Sequence, residues 1–420
     1  MTEQPDEDPV GSPTLLNAPR APLGIRVAGA GASAARGLGV GLLDLDGEKL
    51  RRFAAGQLGN VSPAGELHDD PAFDEGLAAL CHSANSDAHL TGFGRLAVAS
   101  HIRRAVATRR VRATLQRTHP ELLQHPIGSP IVVVGLPRSG TTFLHNMLAL
   151  APGHRPLSLW EVQRPLPVTS RSRRRRITVR QIRMLKRIAP HFDTIHYVDA
   201  DSPEECTMLL DHTLVSPSFF YFAPVYSYFE WFLEQDLTTG YDGYRECLGY
   251  LQSETPGHRL VLKAPGHTLQ LHQLLRVLPD AKLVLMHRDP SEVIASLCSM
   301  FFTLHSAVAT VDPHDTGRAL RRLLERGMSN LLASRDELPP QCAIDVDFRE
   351  LIADPVAAVR RIYDHFGLPF SSTYEATLEA GAREWGEGTA GRHRYTLTDF
   401  GLEREAVREA YSPYNQRFGV

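Results

Sequence analysis

The sequence predicts an α/β fold, a three-layer P-loop-like domain around a mainly parallel sheet, preceded by a helical N-terminal region. Three observations carry that prediction. Short apolar runs beginning at Ile131 (IVVV), Arg259 (RLVLK) and Lys282 (KLVLMH) read as strands buried on both faces. Each run is followed by a turn and then by apolar residues at helical spacing, the alternation that builds parallel sheets. Upstream, residues 47–123 show helical periodicity and no strand pattern.

The chain has 420 residues, with 45 Lys and Arg against 48 Asp and Glu and a net charge of −3. That length can bury a large core as one big domain or two. The charge balance argues against bulk attraction to nucleic acid. Cys81, Cys206, Cys247, Cys298 and Cys342 are scattered without a CxxC pair, which fits reduced thiols in a cytoplasmic protein better than disulfides or zinc. No apolar run reaches the roughly 18 residues of a membrane span. The acidic start MTEQPDEDP lacks the basic and apolar regions of a secretory signal.

Residues 1–40, rich in Pro, Gly and Ala, predict a disordered N-terminus. Residues 41–127 form the helical region, with helices expected over 50–57, 71–84 and 87–116. In the last of these, apolar residues recur every three or four positions and arginines take the other face. Residues 128–420 form the α/β catalytic domain.

The centre of that domain is Ile131 to Leu150. The strand breaks at Gly135, Leu136-Pro137-Arg138-Ser139-Gly140 makes a tight loop, and Thr141 and Thr142 open a helix. A strand, a glycine-bounded loop and a helix N-terminus surround an anion-sized hollow with backbone N–H groups. Gly135 and Gly140 have the spacing of the nucleotide-triphosphatase loop, but Thr141 replaces its Lys and the cation has moved to Arg138. No acidic magnesium ligand ends a neighbouring strand, since His287 and Arg288 precede Asp289. The pattern predicts an anion site for a 5′ group less charged than a triphosphate, without a metal.

GLPRSGTT followed downstream by HRDPSEVIAS resembles the sulfotransferases that use 3′-phosphoadenosine 5′-phosphosulfate (PAPS). The pairing of those loops with YTLTDFGL, from Tyr395 to Leu402, resembles a bacterial branch of the family with a helical N-terminal region. The match runs from about Pro130 to Val420. It implies sulfuryl transfer from PAPS to an alcohol or phenol, with Gly135, Pro137, Arg138, Ser139, Gly140, Thr141 and Thr142 around the 5′-phosphosulfate. By the same resemblance Glu161 removes the acceptor proton. Such a base must lie within hydrogen-bond reach of the acceptor oxygen. Lys263, closing a buried strand, is implied beside the bridging oxygen, and ligands of open α/β sheets bind at strand carboxyl ends. His267 is implied as an acceptor contact or alternative base, although Gly266 stands where the family shows a first histidine.

Arg288 and Ser296 are spaced to close on one phosphate, a guanidinium fork and a hydroxyl. The family uses this pair for the 3′-phosphate. Arg392 and Arg394 follow a glycine-rich stretch and read either as a loop over that phosphate or as a solvated turn. Ser202 reads as an N-cap with Glu204 and Glu205 in the first helical turn, and either glutamate could also face the acceptor. The aromatic stretch 216–235 exceeds what one helix face needs and suggests walls for a lipophilic or aromatic acceptor. The arginine run 171–176 reads as a solvated helix face or lid, with contact to acidic lipid headgroups a weaker alternative. Two other function classes remain open on residues alone: a P-loop-type nucleotide kinase, which needs metal, and a non-catalytic nucleotide-binding protein.

Overall fold

The computed structural model describes residues 45–57, 71–188, 199–386 and 396–420, so the N-terminal segment 1–40 expected to be disordered lies outside the described residues. The expected helical region contains α1 (Gly47–Gln57), α2 (Pro71–Ser86) and α3 (Gly92–Thr118). The third helix starts later than its periodicity suggests, because the Thr91 side chain accepts the Gly94 amide and caps it there.

The described part of the catalytic domain begins with β1 (Ile131–Gly135) and α4 (Thr141–Ala149), then β2 (His154–Pro156), α5 (Leu159–Gln163) and α6 (Arg171–Ile188). It continues with β3 (Arg259–Lys263), β4 (Lys282–His287), α7 (Pro290–Ser306), α8 (Pro313–Glu337) and β5 (Ala343–Asp347). The helices that follow include α9 (Pro355–His365), α10 (Ser372–Gly386) and α11 (Arg404–Phe418). The strands pair in the order β2-β3-β1-β4-β5, and every pairing is parallel. The short β2 was not anticipated. Its three residues carry no strand pattern and are drawn extended by pairing with β3.

The two faces of the sheet feed two cores, because successive strand side chains point to opposite sides. Ile131, Val133, Val261, Val284 and Met286 pack with Leu144 and Leu148 of α4 and Val359 and Ile362 of α9. Val132, Val134, Leu262 and Leu285 join the larger core, which also contains Leu77 of α2 and Ile102 of α3. The N-terminal helices are therefore continuous with one layer of the catalytic core. Each fully buried aliphatic side chain contributes roughly 2 kcal/mol.

The strand order sets the site. Central β1 is flanked by β3 and β4, so the segments that leave these three strands emerge side by side at one edge, where the connections diverge to opposite sides.

Candidate active site

The loop after β1 is held in an unusual backbone shape. Arg138 has φ +67° and Gly140 φ +87°, so two of its residues are left-handed, one of them not glycine. The Ser139 hydroxyl donates to the Leu136 carbonyl at 2.6 Å and closes the turn. A Cβ on Gly135 would lie 2.4 Å from the Met286 carbonyl oxygen, so the glycine lets β1 and β4 approach at their carboxyl ends. Past Gly140, Thr141 and Thr142 open α4, and the first amides of a helix lack an acceptor within it. Donors, a helix N-terminus and an exposed arginine thus surround one anion-sized space.

Beyond β4 the chain brings the second cation to the same loop. Arg288 Nη1 donates to the Arg138 carbonyl at 3.2 Å, and Arg138 Nε donates to Ser296 Oγ at 3.3 Å. The Arg288 guanidinium lies 4.2 Å from the Phe348 ring centroid, and its Nε donates to Glu292 Oε2 at 3.3 Å. Arg138, Arg288 and Ser296, far apart in sequence, are one cluster.

On the other side of β1, Lys263 ends β3 opposite Val133. Its ammonium is buried and donates to Glu205 Oε1 at 3.1 Å. Burial pulls its pKa down, but Glu205 and Glu204 more than offset this and leave it above the usual lysine value. Lys263 is therefore a fixed cation at the sheet edge. Glu205 is the more open partner, its side chain 24% exposed.

Comparison with known proteins fits this geometry. The model of the family described as "Sulfotransferase family" matches residues 130–372, more than half of the chain. The chain belongs to the sulfotransferase family. It is 24% identical over 317 residues to the omega-hydroxy-beta-dihydromenaquinone-9 sulfotransferase Stf3 of Mycobacterium bovis, covering 69% of this chain and 75% of that one. Its fold is similar to the crystal structure of sulfotransferase STF1 from Mycobacterium tuberculosis H37Rv, with TM-score 0.72, 30% identity, and 87% of this chain and 98% of that chain covered. STF9 from Mycobacterium avium gives TM-score 0.75 and 28% identity over 89% of this chain and 96% of that chain. The protein is thus an enzyme of the sulfotransferase family, which displaces the kinase and non-catalytic alternatives.

Not every expected site residue of this sulfotransferase lies where the sequence reading put it. Glu161 is buried, and both carboxylate oxygens are occupied. Oε2 accepts from the Ser158 amide at 3.0 Å and the Ser158 hydroxyl at 2.9 Å, while Oε1 accepts from Arg155 Nη2 at 2.5 Å. This is a capping box on α5 joined to an ion pair. Acting as the base would require Glu161 to give up those partners.

His267, expected as an acceptor contact or alternative base, sits deeper than that reading suggests. It is fully buried, with Nδ1 2.8 Å from the Tyr241 hydroxyl and Nε2 3.2 Å from Cys206 Sγ. Burial pushes its pKa down to about 3, so it is a neutral core histidine.

The Ser202 cap also differs. The helical segment starts only at Cys206, as a 3-10 turn, because Pro203 is drawn into a bridge with Ser158. Glu204 and Glu205 consequently precede the helix, which frees Glu205 to meet Lys263. The aromatic stretch is mostly core, with Phe219, Phe220, Tyr228 and Phe229 buried and Phe220 stacked on Phe229 at 4.1 Å. Tyr221 reaches the turn after β3, since a Cβ on Gly266 would sit 3.2 Å from its hydroxyl. Arg392 and Arg394 lie outside the described residues.

Proposed function

We propose that this sulfotransferase moves a sulfuryl group from PAPS to a hydroxyl of a small lipophilic or aromatic acceptor. The observation that carries the reading is the convergence of Arg138, Arg288 and Ser296 beside the glycine-bounded loop, with Lys263 on the adjoining strand. Bound PAPS supplies an activated sulfuryl group attached through a bridging oxygen to an adenosine phosphate. Gly135, Pro137, Ser139, Gly140, Thr141 and Thr142 would cradle its 5′ end through backbone amides and hydroxyls, the chemistry of a helix N-terminus. Arg288 and Ser296 would hold the 3′-phosphate, Arg288 by a charge-assisted fork. Arg392 and Arg394 would add charge over the same phosphate.

Lys263, kept protonated by its two glutamates, would stabilise the oxygen that gains charge as the sulfuryl group leaves. Glu205 would accept the acceptor's proton, because it touches Lys263 and its side chain is partly exposed. Glu161 would then act one layer back, orienting Arg155 and the start of α5. The lipophilic acceptor draws support from Stf3, whose name gives a hydroxylated menaquinone as its substrate.

Calorimetric titration of adenosine 3′,5′-bisphosphate with EDTA, against ATP with magnesium, tests the nucleotide half of this reading. Tight bisphosphate binding, weakened about 10- to 100-fold by Arg288→Ala, is expected for a lost charged hydrogen bond. ATP binding that excludes the bisphosphate would reverse the donor assignment.

A further inference from the structure

Helix α6 carries nine Lys and Arg and no Asp or Glu in 18 residues. Removing those nine cations from a chain of net charge −3 leaves −12 elsewhere, so the positive charge is concentrated on one element. The structure sorts these residues by face. Arg174 is buried, donating to the carbonyls of Arg164 and Pro165 at 3.0 Å and pairing with Glu254. Arg175 is neutralised by Asp201. Opposite the buried side, Arg173, Arg176, Arg180, Arg183 and Arg187 recur every three or four residues and are all exposed. None of the five makes an ion pair with a described residue. Met184 sits among them, 51% exposed.

We propose that this stripe docks the enzyme on an anionic lipid surface. Five arginines spread over 15 residues make a straight row of about 21 Å, long enough to meet several headgroups in one plane. Each cation near such a surface contributes on the order of 1 kcal/mol, and a single exposed methionine adds a shallow apolar contact. Lipid is favoured over nucleic acid by that methionine and by the absence of aromatic residues from the helix for bases to stack on.

The location adds purpose. Helix α6 packs on α5, Arg171 lies 3.7 Å from Glu161, and Ser158 bridges Pro203, two residues before Glu205. A surface-bound α6 would therefore hold the acceptor carboxylate close to the lipid phase. The proposal concerns binding and does not depend on the sulfuryl-transfer reading.

Flotation of the full-length protein with phosphatidylcholine vesicles, with and without about 30 mol% phosphatidylglycerol, tests it. The expected result is binding to the anionic vesicles only, released by salt as the arginines are screened. Arg176→Ser/Arg180→Ser/Arg183→Ser should weaken binding at least about tenfold. Its melting temperature should match the wild type, which shows that it is folded. Arg175→Ser, which removes a cation already neutralised, should change vesicle binding less than about twofold. Absence of binding to anionic vesicles, equal binding to neutral ones, or an unaffected triple variant would overturn the proposal. Duplex DNA that binds the stripe and displaces the vesicles would overturn it in favour of a nucleic-acid site.

Discussion

Glu161 and Glu205 lie on segments joined by the Ser158–Pro203 bridge, yet their carboxylates are held for different tasks. Glu161 completes a helix cap and neutralises Arg155, while Glu205 shares Lys263 and stays partly exposed. Glu205→Gln is expected to lower kcat by about 10²- to 10⁴-fold, the usual contribution of a general base, with bisphosphate affinity nearly unchanged. Glu161→Gln should instead lower stability by about 1–3 kcal/mol in denaturant unfolding, since it leaves half-buried Arg155 without its counter-charge. If the kinetic loss falls on Glu161→Gln and spares Glu205→Gln, the two roles are exchanged. Gly140→Ala forces a Cβ into φ +87° and to 2.8 Å from the Phe348 ring. It should cost about 1–3 kcal/mol and weaken bisphosphate binding, measured by unfolding and titration together. The capping box was open to reading, because Ser158-x-x-Glu161 is its pattern. The core position of His267 was not, because it depends on Tyr241 and Cys206, which pairing of distant segments brings together.

Among the elements, β1, β3 and β4 were legible because their central residues are continuously apolar, whereas β2 exists only through its partner. The arginine run shows the same limit. A helix with arginines at nearly every position around 174 does not declare which one faces inward until α5 packs against it. Arg174 lies 5.4 Å from the Trp160 ring centroid and 6.0 Å from that of Tyr250, an aromatic slot built from two other helices. Arg174→Met should therefore destabilise the protein by about 3–5 kcal/mol, leaving Glu254 uncompensated. Arg176→Met, on the exposed face, should change stability by less than about 0.5 kcal/mol. Equal effects in chemical unfolding would contradict the assignment of the two faces. The C-terminal helix has a comparable bracing part. Tyr414 hydroxyl meets His287 Nδ1 at 2.8 Å and Asn415 donates to Asp289 at 3.1 Å, so α11 grips both neighbours of Arg288.

For the whole molecule, burial holds several histidines neutral. It pushes His145 and His305 down to about 4, and His212 and His267 down to about 3. Their folded pKa values lie below the ordinary 6.5, so the unfolded chain takes up more protons once the pH falls below that value. The stabilisation is complete above pH 6.5 and is lost progressively toward pH 4. Each such group contributes up to about 1.4 kcal/mol per pH unit in that window. The melting temperature should accordingly fall between pH 6.5 and 5, before most carboxylates titrate; a flat profile would mean that these histidines can protonate without opening the core. All of this surrounds one central claim, that the cluster at the ends of β1, β3 and β4 performs sulfuryl transfer. The most direct measurement is transfer of radiolabelled sulfate from PAPS to a long-chain or isoprenoid alcohol, in EDTA, by wild type and Lys263→Ala. Labelled sulfate ester from the wild type, reduced at least about 100-fold in the variant, is the result predicted for loss of the charge-stabilising cation. Turnover that persists undiminished in Lys263→Ala, or label that no hydroxyl acceptor takes up while the protein is folded and binds the bisphosphate, would contradict it.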